Sequence, residues 1–358
     1  MTDAADFDGA RAEAFGGRML EALNHATTVM MLSVGDRLGL FDTLAEVGPA
    51  TSEKLAAAAG LEERYVREWL GALVVAEVVE YEPAGRTYLL PPEHAATLTT
   101  AAGVDNMAFF AQYVPLLSTV EDELLEAFRH GGGVPYSSYP RFQAVQAQET
   151  SRVYDATLVD VTIPLVPGAL QRLEAGIDVI DIGCGSGHAV NVMAKAFPQS
   201  RFHGLDMSDE GIAAARAEAT GWGLTNVRFE VGDATSLPAG SFDLITAFDM
   251  IHDLARPAEV LAAVNTALRP DGVFLMVDMA ASSHLEENIG HPFAPLLYGF
   301  SLFHCMTVSL AQGGAGLGTV WGEQVARQML GEAGFGSVDT TSVEGDPLNL
   351  YYMCRRQA

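Results

Sequence analysis

Three glycines stand where this chain could hold a ligand. The segment 181–187 reads D-I-G-C-G-S-G, follows an apolar run and opens a stretch with helical character. Glycine has no Cβ, so the backbone at Gly183, Gly185 and Gly187 can turn tightly and approach a bound molecule closely. By itself such a loop is also compatible with a dinucleotide site. The residues that follow the loop therefore decide what it binds.

Acidic residues recur at regular places after this loop. Asp206 lies 19 residues beyond the last glycine, at the end of the next apolar run, where an acid accepts hydrogen bonds from ribose hydroxyls. The segment 232–234 (G-D-A) follows a third run, where Asp233 could accept from an adenine amine, and Phe248 ends a fourth. Two of these acids have a simpler alternative: Asp181 can cap the loop, and Asp233 can form an Asx-turn.

From residue 177 onward, apolar runs alternate with helical patterns. Strands are predicted at 179–181, 201–206, 227–231, 242–248, 273–278 and 351–353, and helices at 189–197, 210–221, 257–268 and 322–334. Strands alternating with helices form a parallel, doubly wound sheet, whose ligands bind at the carboxyl ends of the strands. The glycine loop and the acids lie at such ends. The sequence therefore predicts an α/β, Rossmann-like domain over residues 173–358.

Residues 177–280 resemble class I S-adenosylmethionine-dependent methyltransferases in the D-x-G-x-G-x-G loop, the acid after the second strand and the G-D-A after the third. The resemblance implies S-adenosylmethionine as cofactor and S-adenosylhomocysteine as product. It also implies that Asp206 holds the ribose, that Met207 packs on the adenine and that Asp233 holds the adenine amino group. The cofactor-binding residues implied in this way are Asp181, Gly183, Gly185, Gly187, Asp206, Met207, Gly232, Asp233, Ala234 and Phe248.

The N-terminal residues have a winged-helix pattern. A helix is predicted over 11–34, followed by helices at 36–47, 54–59 and 62–76 and by a hairpin of strands at 78–81 and 86–90. The helix at 62–76 begins E-E-R-Y-V-R-E, so its acids and bases nearly balance, whereas a DNA reader needs basic residues facing phosphate. We therefore expect a scaffold and a homodimer rather than DNA binding. The helix at 11–34 packs either on a partner subunit or in the core of its own chain.

The winged-helix pattern and the segment 317–322 (L-G-T-V-W-G) indicate which group of these methyltransferases the chain resembles. Together they resemble a bacterial winged-helix methyltransferase family of mycobacterial and actinomycete type, over residues 26–353. The predicted domains are an N-terminal helix and winged-helix domain (1–99), a helical region that covers the substrate (100–172) and the cofactor-binding domain (173–358). This family implies the reaction class but not the acceptor.

The charge of the chain limits its partners. With 20 basic and 46 acidic residues the formal net charge is −26, which repels nucleic acid and anionic lipid. The three cysteines are widely spaced and form no C-x-x-C motif, which fits a reducing cytoplasm. The acidic N-terminus, residues 1–6, has no apolar core, so we expect it not to be a secretory signal.

A long apolar segment, residues 288–322, contains no Asp, Glu, Lys or Arg. Prolines break its start and glycines its end, so we expect a lid or an acceptor pocket rather than a membrane span. The residues predicted to line this pocket are Tyr298, Phe303, His304 and Trp321. The alternatives are a plain core or a dimer interface. No tight ligand spacing appears among His284, His291, His304 and Cys305, so the sequence predicts no metal site.

His252, just after the fourth strand, is the candidate catalytic base, because an imidazole can take a hydroxyl proton near neutral pH. The pair His252-Asp253 resembles that of dimeric winged-helix O-methyltransferases, in which the histidine is the base. Asp278, at the end of the fifth strand, stands where those enzymes carry one carboxylate that orients the histidine. Their second such carboxylate has no evident counterpart here. The alternative is a structural or substrate-contacting histidine.

The sequence as a whole predicts methyl transfer to a small hydrophobic or aromatic molecule, with oxygen favoured as the acceptor atom. Transfer to nitrogen, sulfur or carbon is the first alternative. The second is a regulator without enzymatic activity that senses the cofactor through the same site and binds DNA through its winged helix.

Overall fold

The computed structural model describes residues 7–357 and divides into two compact units, Met1–Leu116 and Leu117–Ala358. The acidic segment 1–6, predicted not to be a secretory signal, lies outside the described residues. The sequence predicts an α/β, Rossmann-like domain preceded by a helical winged-helix domain. This fold class is confirmed.

The first unit is helical and carries one two-stranded hairpin. Its elements are α1 (Gly9–Arg37), α2 (Leu40–Val47), α3 (Ser52–Ala59), α4 (Glu63–Val75), β1 (Glu80–Glu82), β2 (Thr87–Leu89), α5 (Pro92–Leu98) and α6 (Met107–Phe110), and α7 (Tyr113–Ser118) begins in it. The helix predicted at 36–47 begins later, at Leu40. The reason is that α1 continues to Arg37 and Gly39, with φ of 64°, breaks the chain between the two helices.

The C-terminal half of α1 packs in the core of this unit. The rings of Phe41 and Trp69 meet edge to face with centroids 5.2 Å apart, and Trp69 Nε1 donates to the carbonyl of Met31 at 2.9 Å. Gly35 lets the helix approach, since a Cβ there would lie 2.4 Å from the Phe41 ring. The N-terminal half of α1 instead leaves large apolar side chains exposed, namely Phe15, Met19, Leu20 and Leu23.

The second unit contains a seven-stranded sheet with helices between the strands. Its elements are α8 (Glu121–His130), α9 (Phe142–Thr157), α10 (Ala169–Ala175), β3 (Asp178–Ile182), α11 (His188–Ala196), β4 (Arg201–Asp206), α12 (Asp209–Gly221), β5 (Val227–Val231), β6 (Phe242–Phe248), α13 (Pro257–Ala267), β7 (Leu268–Met279), α14 (Leu285–Asn288), α15 (Ala294–Phe300), α16 (Met306–Ala311), α17 (Gly322–Glu332), β8 (Phe335–Val343) and β9 (Asp346–Arg356).

The strand order is β5-β4-β3-β6-β7-β9-β8. The first five strands in this order pair in parallel, and β9 pairs antiparallel with both β7 and β8. In β3, Val179 packs into one hydrophobic cluster while Ile180 and Ile182 pack into the other, as the two-residue repeat of a strand requires. Both faces of the sheet are therefore buried, and its loops gather at the carboxyl ends of the parallel strands.

One helical stretch, Ala294–Ala311, is long and apolar enough to cross a membrane by length and composition, with a mean hydropathy of 1.3. The bent pair Phe142–Leu165 and Ala169–Ala175 meets the same criterion only when its two parts are taken together. Such a stretch also suits the core of a globular domain. In this one, Thr307 Oγ1 accepts from the backbone of Val134 at 2.9 Å and Ser309 Oγ donates to the carbonyl of Leu254 at 2.8 Å. These two polar side chains are thus bonded within the protein.

Candidate functional site

The glycine loop between β3 and α11 has the backbone that its sequence predicts. Gly183, Gly185 and Gly187 have φ of 65°, 54° and 72°, in the left-handed region that side chains with a Cβ rarely adopt. A Cβ at Gly183 would also lie 2.6 Å from the Met250 side chain, and one at Gly187 would lie 2.5 Å from Ala215. At Gly183 and Gly187 the packing is thus too close for any larger residue, whereas at Gly185 only the left-handed backbone favours glycine.

A cavity of about 700 Å³ opens beside this loop. It is lined by nine of the ten residues predicted to bind the cofactor, which are Asp181, Gly183, Gly185, Asp206, Met207, Gly232, Asp233, Ala234 and Phe248. Gly187 lies outside the lining, beneath the loop against Ala215 and Phe229. The carboxyl ends of β3, β4, β5 and β6 therefore meet at one cavity, as expected for a doubly wound sheet.

Asp206 is held in place by the backbone around it. Its Oδ2 accepts from the amide of Gly185 at 2.8 Å, and its Oδ1 accepts from the amide of Ser208 at 2.8 Å. Each oxygen keeps a lone pair for a further donor. The carboxylate is therefore oriented before any ligand arrives, and it stands at the cavity wall.

Asp233 has more than one partner within the protein. Its Oδ1 accepts from the amide of Thr235 at 2.9 Å, and its other oxygen pairs with the guanidinium of Arg256. The Thr235 amide, together with Arg256, lowers the pKa of this carboxyl below its ordinary value. The Asx-turn alternative is thus present in the structure, and the same side chain also lines the cavity.

Two further carboxyls at the cavity are deeply buried. Burial raises the pKa of Asp181 to about 7, although its Oδ1 accepts a 2.6 Å hydrogen bond from the Thr246 hydroxyl. Burial, and then the nearby Asp278, also hold the pKa of Asp249 well above its ordinary value. The Asp249 Oδ1 atom is buried without a hydrogen-bond partner among the described residues. The cavity wall therefore contains at least one acidic oxygen, Asp249 Oδ1, that no hydrogen bond within the described residues compensates.

His252 lies behind the cavity wall rather than in its lining. Its side chain is 2% exposed, its Nδ1 donates to Asp278 Oδ1 at 2.7 Å, and its Nε2 lies 3.3 Å from Asp253 Oδ1. Burial lowers the pKa of His252, but Asp278 and Asp253 outweigh this effect and hold it well above the ordinary value. The imidazole is thus flanked by two carboxylates.

Asp278 is the better connected of these two carboxylates. Besides His252, its Oδ1 accepts from the indole Nε1 of Trp321 at 3.0 Å and from the amide of Met279 at 2.8 Å. Trp321, predicted to line an acceptor pocket, is placed here as a donor to Asp278. The structure thus brings together His252 and Asp278, the two residues predicted to be catalytic.

Asp253 connects His252 with the cavity. Asp253 lines the cavity together with Tyr136, whose hydroxyl donates to Asp253 Oδ2 at 3.3 Å. His304 Nδ1 lies 3.9 Å from the same oxygen and 3.6 Å from Cys305 Sγ. Sequence reasoning named Asp253 only as the neighbour of His252 and gave it no role.

The other predicted pocket residues are placed away from this cavity. His304 is buried and stacks on Phe142 with ring centroids 3.6 Å apart, Phe303 is half-buried beside it in the same helical stretch, and Tyr298 is partly exposed. Within the part of the chain that the structure describes, none of these three lines the cavity. Only His304 approaches it, through Asp253.

Helix α9 forms one wall of the cavity. The sequence predicts that the region containing this helix covers the substrate, but it does not predict which of its residues line the cavity. The side chains that line the cavity are Gln143, Ala144, Gln146, Ala147, Thr150 and Tyr154. Their spacing of three to four residues is that of one helix face. This periodicity was the signal available in the sequence, but small and polar residues repeat in this way on solvated helices as well.

Comparison with known proteins agrees with both parts of this architecture. A model of the Rv2258c-like winged helix-turn-helix domain matches residues 26–100, and a model of a methyltransferase domain matches residues 173–299. The chain therefore joins a winged helix-turn-helix domain to a methyltransferase domain.

Curated relatives resemble about a third of this chain. The chain is 36% identical over 129 residues to trans-aconitate 2-methyltransferase of Deinococcus radiodurans, and 34% identical over 125 residues to nocamycin O-methyltransferase of Saccharothrix syringae. These matches cover 35% and 34% of this chain. The chain spans about half the length of these relatives, 48% and 45% respectively.

A solved structure resembles the whole chain. Human N-acetylserotonin methyltransferase, determined in complex with S-adenosylmethionine, superposes with a TM-score of 0.71 over 99% of this chain and 100% of its own. At 18% identity this likeness concerns the fold.

Asp181→Asn should change how stability depends on pH. Folding raises the pKa of the Asp181 carboxyl to about 7, so the folded state prefers the protonated form. Wild type then loses stability as the pH rises from about 4, the ordinary pKa, towards 7. The variant has no such proton to lose. Its melting temperature should rise relative to wild type across this window, measured by thermal unfolding without ligand.

Asp178→Asn, at the start of the same strand, is the matched control. Hydrogen bonding from Arg201, together with Arg269, lowers the pKa of Asp178, so this carboxylate stabilises the fold above its ordinary pKa and loses that effect as the pH falls. The control should be less stable than wild type at pH 7, with a difference that shrinks in acid. If the difference in melting temperature between Asp181→Asn and wild type stays constant between pH 4 and 7, the pKa of Asp181 is not raised by folding.

Proposed function

We propose that this chain transfers a methyl group from S-adenosylmethionine to an oxygen atom of a small hydrophobic or aromatic molecule. The observation that carries the proposal is the convergence of the glycine loop, the oriented Asp206 carboxylate and Asp233 on one cavity of about 700 Å³. Such a volume lies in the range of small-molecule and cofactor sites.

The residues present fit this cofactor. Asp206, with both oxygens oriented and lone pairs remaining, is placed for the two ribose hydroxyls. Met207 is exposed and lines the cavity two residues before α12, where its side chain can cover an adenine ring. Asp233 lines the next strand end and can accept from the adenine amine, in place of Arg256 or beside it.

The buried acids fit the charged end of the cofactor. Asp249 Oδ1 has no hydrogen-bond partner among residues 7–357, and the pKa of Asp181 is raised mainly by burial. A cation placed between such carboxyls favours their ionised form and offsets the cost of burying them. When bound, S-adenosylmethionine supplies a methyl group on a positively charged sulfur, which becomes neutral when the methyl group leaves. Its ammonium and sulfonium groups are cations of the required kind.

The acceptor side lies at Asp253 and Tyr136. An acceptor hydroxyl bound there would receive the methyl group that the cofactor supplies and would release its proton towards the protein. Asp253 and, behind it, His252 are the proposed destination of that proton, because Asp253 lines the cavity and Asp278 fixes the imidazole. His252 accepts the proton only in its neutral form, which its raised pKa restricts to higher pH. The chain also contributes to catalysis by aligning the two reactants and excluding water from the cavity.

The cavity walls favour an aromatic acceptor. The rings of Tyr154 and Phe248 lie 5.3 Å apart, and both residues line the cavity together with Met250 and Leu254. Mostly apolar walls with a few oriented polar groups are typical of sites for such molecules. Nocamycin O-methyltransferase, one of the relatives, transfers methyl to oxygen by its name.

The first unit supports assembly rather than DNA binding in this proposal. Arg64 pairs with Glu68 and Arg67 pairs with Glu63, so the arginines at the start of α4 are neutralised within their own helix. The exposed apolar face of α1 suits a second copy of this chain. We therefore propose a homodimer, and a reducing cytoplasm because all three cysteines are free.

Asp206→Ala should weaken cofactor binding by about 1–3 kcal/mol, the loss expected for charge-assisted hydrogen bonds. The measurement is calorimetric titration with S-adenosylhomocysteine. Asp209→Ala is the control, because Asp209 is an exposed acid three residues away that does not line the cavity. Equal affinity of the Asp206 variant and wild type would mean that the ribose binds elsewhere.

His252→Ala should lower kcat about 10²–10⁴-fold, the usual contribution of positioned proton transfer, and leave affinity for S-adenosylhomocysteine unchanged. Turnover is followed as formation of S-adenosylhomocysteine with a hydroxylated aromatic acceptor found by screening, and mass spectrometry identifies the methylated atom. His284→Ala, at an exposed histidine, is the control. Unchanged turnover removes His252 from the mechanism, and a methylated nitrogen, sulfur or carbon overturns the oxygen assignment.

The intact protein should be dimeric by light scattering, and the double variant Leu20→Glu, Leu23→Glu should be monomeric. The two introduced glutamate side chains would have to be buried in the dimer interface, and burying a charge without a partner is energetically costly. Glu21→Ala, on the same helix, is the control and should remain dimeric. A monomeric wild type at micromolar concentration would refute the homodimer.

A further inference from the structure

We propose that His188 binds the carboxylate of the cofactor's amino-acid group, and that the Asp155 side chain occupies this place until the ligand displaces it. The inference deepens the proposed function and rests on it, since S-adenosylmethionine is a nucleoside that carries an α-amino acid. His188 is the first residue of α11, directly after the glycine loop, and it lines the cavity.

The cavity is rich in acids, so a carboxylate that enters it needs a specific partner. Six acidic residues line the cavity, which are Asp181, Asp206, Glu210, Asp233, Asp249 and Asp253. Among the lining residues that the structure describes, only His188 and Arg256 have side chains that can carry a positive charge. Like charges repel more strongly where water is partly excluded, so the ligand carboxylate must bind at one of these two.

The order of the strands separates these two cations. Arg256 pairs with Asp233 after β5 and, at 3.1 Å, with Glu259, so it belongs to the adenine side. Asp206 ends the neighbouring strand β4, and His188 follows the loop after β3, the next strand in the order β5-β4-β3. A nucleoside with its base at Asp233 and its ribose at Asp206 therefore extends its remaining group towards His188.

The imidazole of His188 already binds carboxylates. Its Nδ1 lies 2.8 Å from Glu218 Oε1, and its Nε2 lies 3.1 Å from Asp155 Oδ1. A carboxylate only accepts hydrogen bonds, so a ring with a proton on each nitrogen donates to both partners. The Nε2 side thus has the geometry of a carboxylate-binding group, with Asp155 as the carboxylate that is present in the chain itself.

The two carboxylates on His188 are held very differently. Glu218 also accepts from Asn191 Nδ2 at 2.7 Å, and its side chain is 29% exposed. The Asp155 side chain is 65% exposed, and within residues 7–357 its carboxylate has no hydrogen-bond partner other than His188. Ion pairs with an exposed partner contribute little to stability. Asp155 can therefore turn into solvent and leave Nε2 to a ligand, while Glu218 keeps the ring in place.

The glycine loop offers a second donor near the ring. Ser186 lies two residues before His188 and lines the cavity, and its hydroxyl has no hydrogen-bond partner in the described part of the chain. A carboxylate has two oxygens, so it can accept from this hydroxyl and from the imidazole together. The Trp222 ring packs edge to face on His188, with centroids 5.5 Å apart, and limits its rotation. The donors are thus in place before a ligand binds.

Two ligands that differ only in the carboxylate test the proposal. Calorimetry with the intact protein compares S-adenosylhomocysteine with its decarboxylated analogue, in which an aminopropyl chain replaces the amino acid. Wild type should bind S-adenosylhomocysteine about tenfold more tightly or better, the effect of one charge-assisted hydrogen bond. His188→Ala should weaken S-adenosylhomocysteine by about the same factor and leave the analogue unchanged, so that this preference disappears.

Three further variants isolate the contact. Asp155→Ala should tighten S-adenosylhomocysteine about two- to fivefold without changing the analogue, because an ion pair of this kind no longer competes. This result decides the question if circular dichroism shows that His188→Ala fails to fold. Lys195→Ala removes a positive charge from the exposed side of the same helix and should keep the preference for the carboxylate. Arg256→Ala should keep it as well.

The same titrations separate this proposal from the proposed function. Wild type that binds both ligands with equal affinity refutes the role of His188 and leaves the methyltransferase proposal intact. A preference that persists in His188→Ala but disappears in Arg256→Ala places the carboxylate at Arg256 and also overturns it. Unchanged affinity of Asp155→Ala refutes the displacement of Asp155. Wild type that binds neither ligand refutes both proposals.

Discussion

The buried carboxylate of Asp278 is the constraint on which the candidate site depends. A charge removed from water must be paired, and the Oδ1 atom of this one is paired by the His252 imidazole, the Trp321 indole and the amide of Met279, whereas Oδ2 has no hydrogen-bond partner among the described residues. These donors come from the turn after β6, from the residue before α17 and from the end of β7. Pairing this one buried oxygen atom therefore joins three distant parts of the chain and sets the direction in which His252 Nε2 points.

The cavity consequently has two walls of different character. On the cofactor side, Gly185 and Ser208 use backbone amides to orient Asp206, so the geometry follows from the turn and needs little from neighbouring helices. On the acceptor side, Asp253 stands between the cavity and a buried group of side chains, and its position depends on helices packed from elsewhere. The first wall has the oriented carboxylate oxygens that a nucleoside can bind, and the second has a histidine held between two carboxylates.

Much of the fold could be predicted because its signals are local. Apolar runs alternating with helical patterns indicated the parallel strands. The closely spaced glycines Gly183, Gly185 and Gly187 indicated the loop after β3. The strand β8 gave no such signal, since F-G-S-V-D-T-T-S-V is largely polar and forms a strand at the sheet edge only by pairing with β9. The start of α2 was misplaced because a local pattern shows apolar periodicity but not where Gly39 breaks the chain.

The sequence by itself determined which residues meet at the ends of the parallel strands, because chain connectivity in a doubly wound sheet brings those ends together whatever the loops contain. It could not determine what surrounds His252. Cys305 and His304 reach Asp253 only because the apolar stretch Ala294–Ala311 packs beside the turn after β6, with Ser309 bonded to the carbonyl of Leu254. Contacts between segments far apart in the chain are set by packing and by pairing of buried polar groups, and neither leaves a periodic pattern in either segment alone.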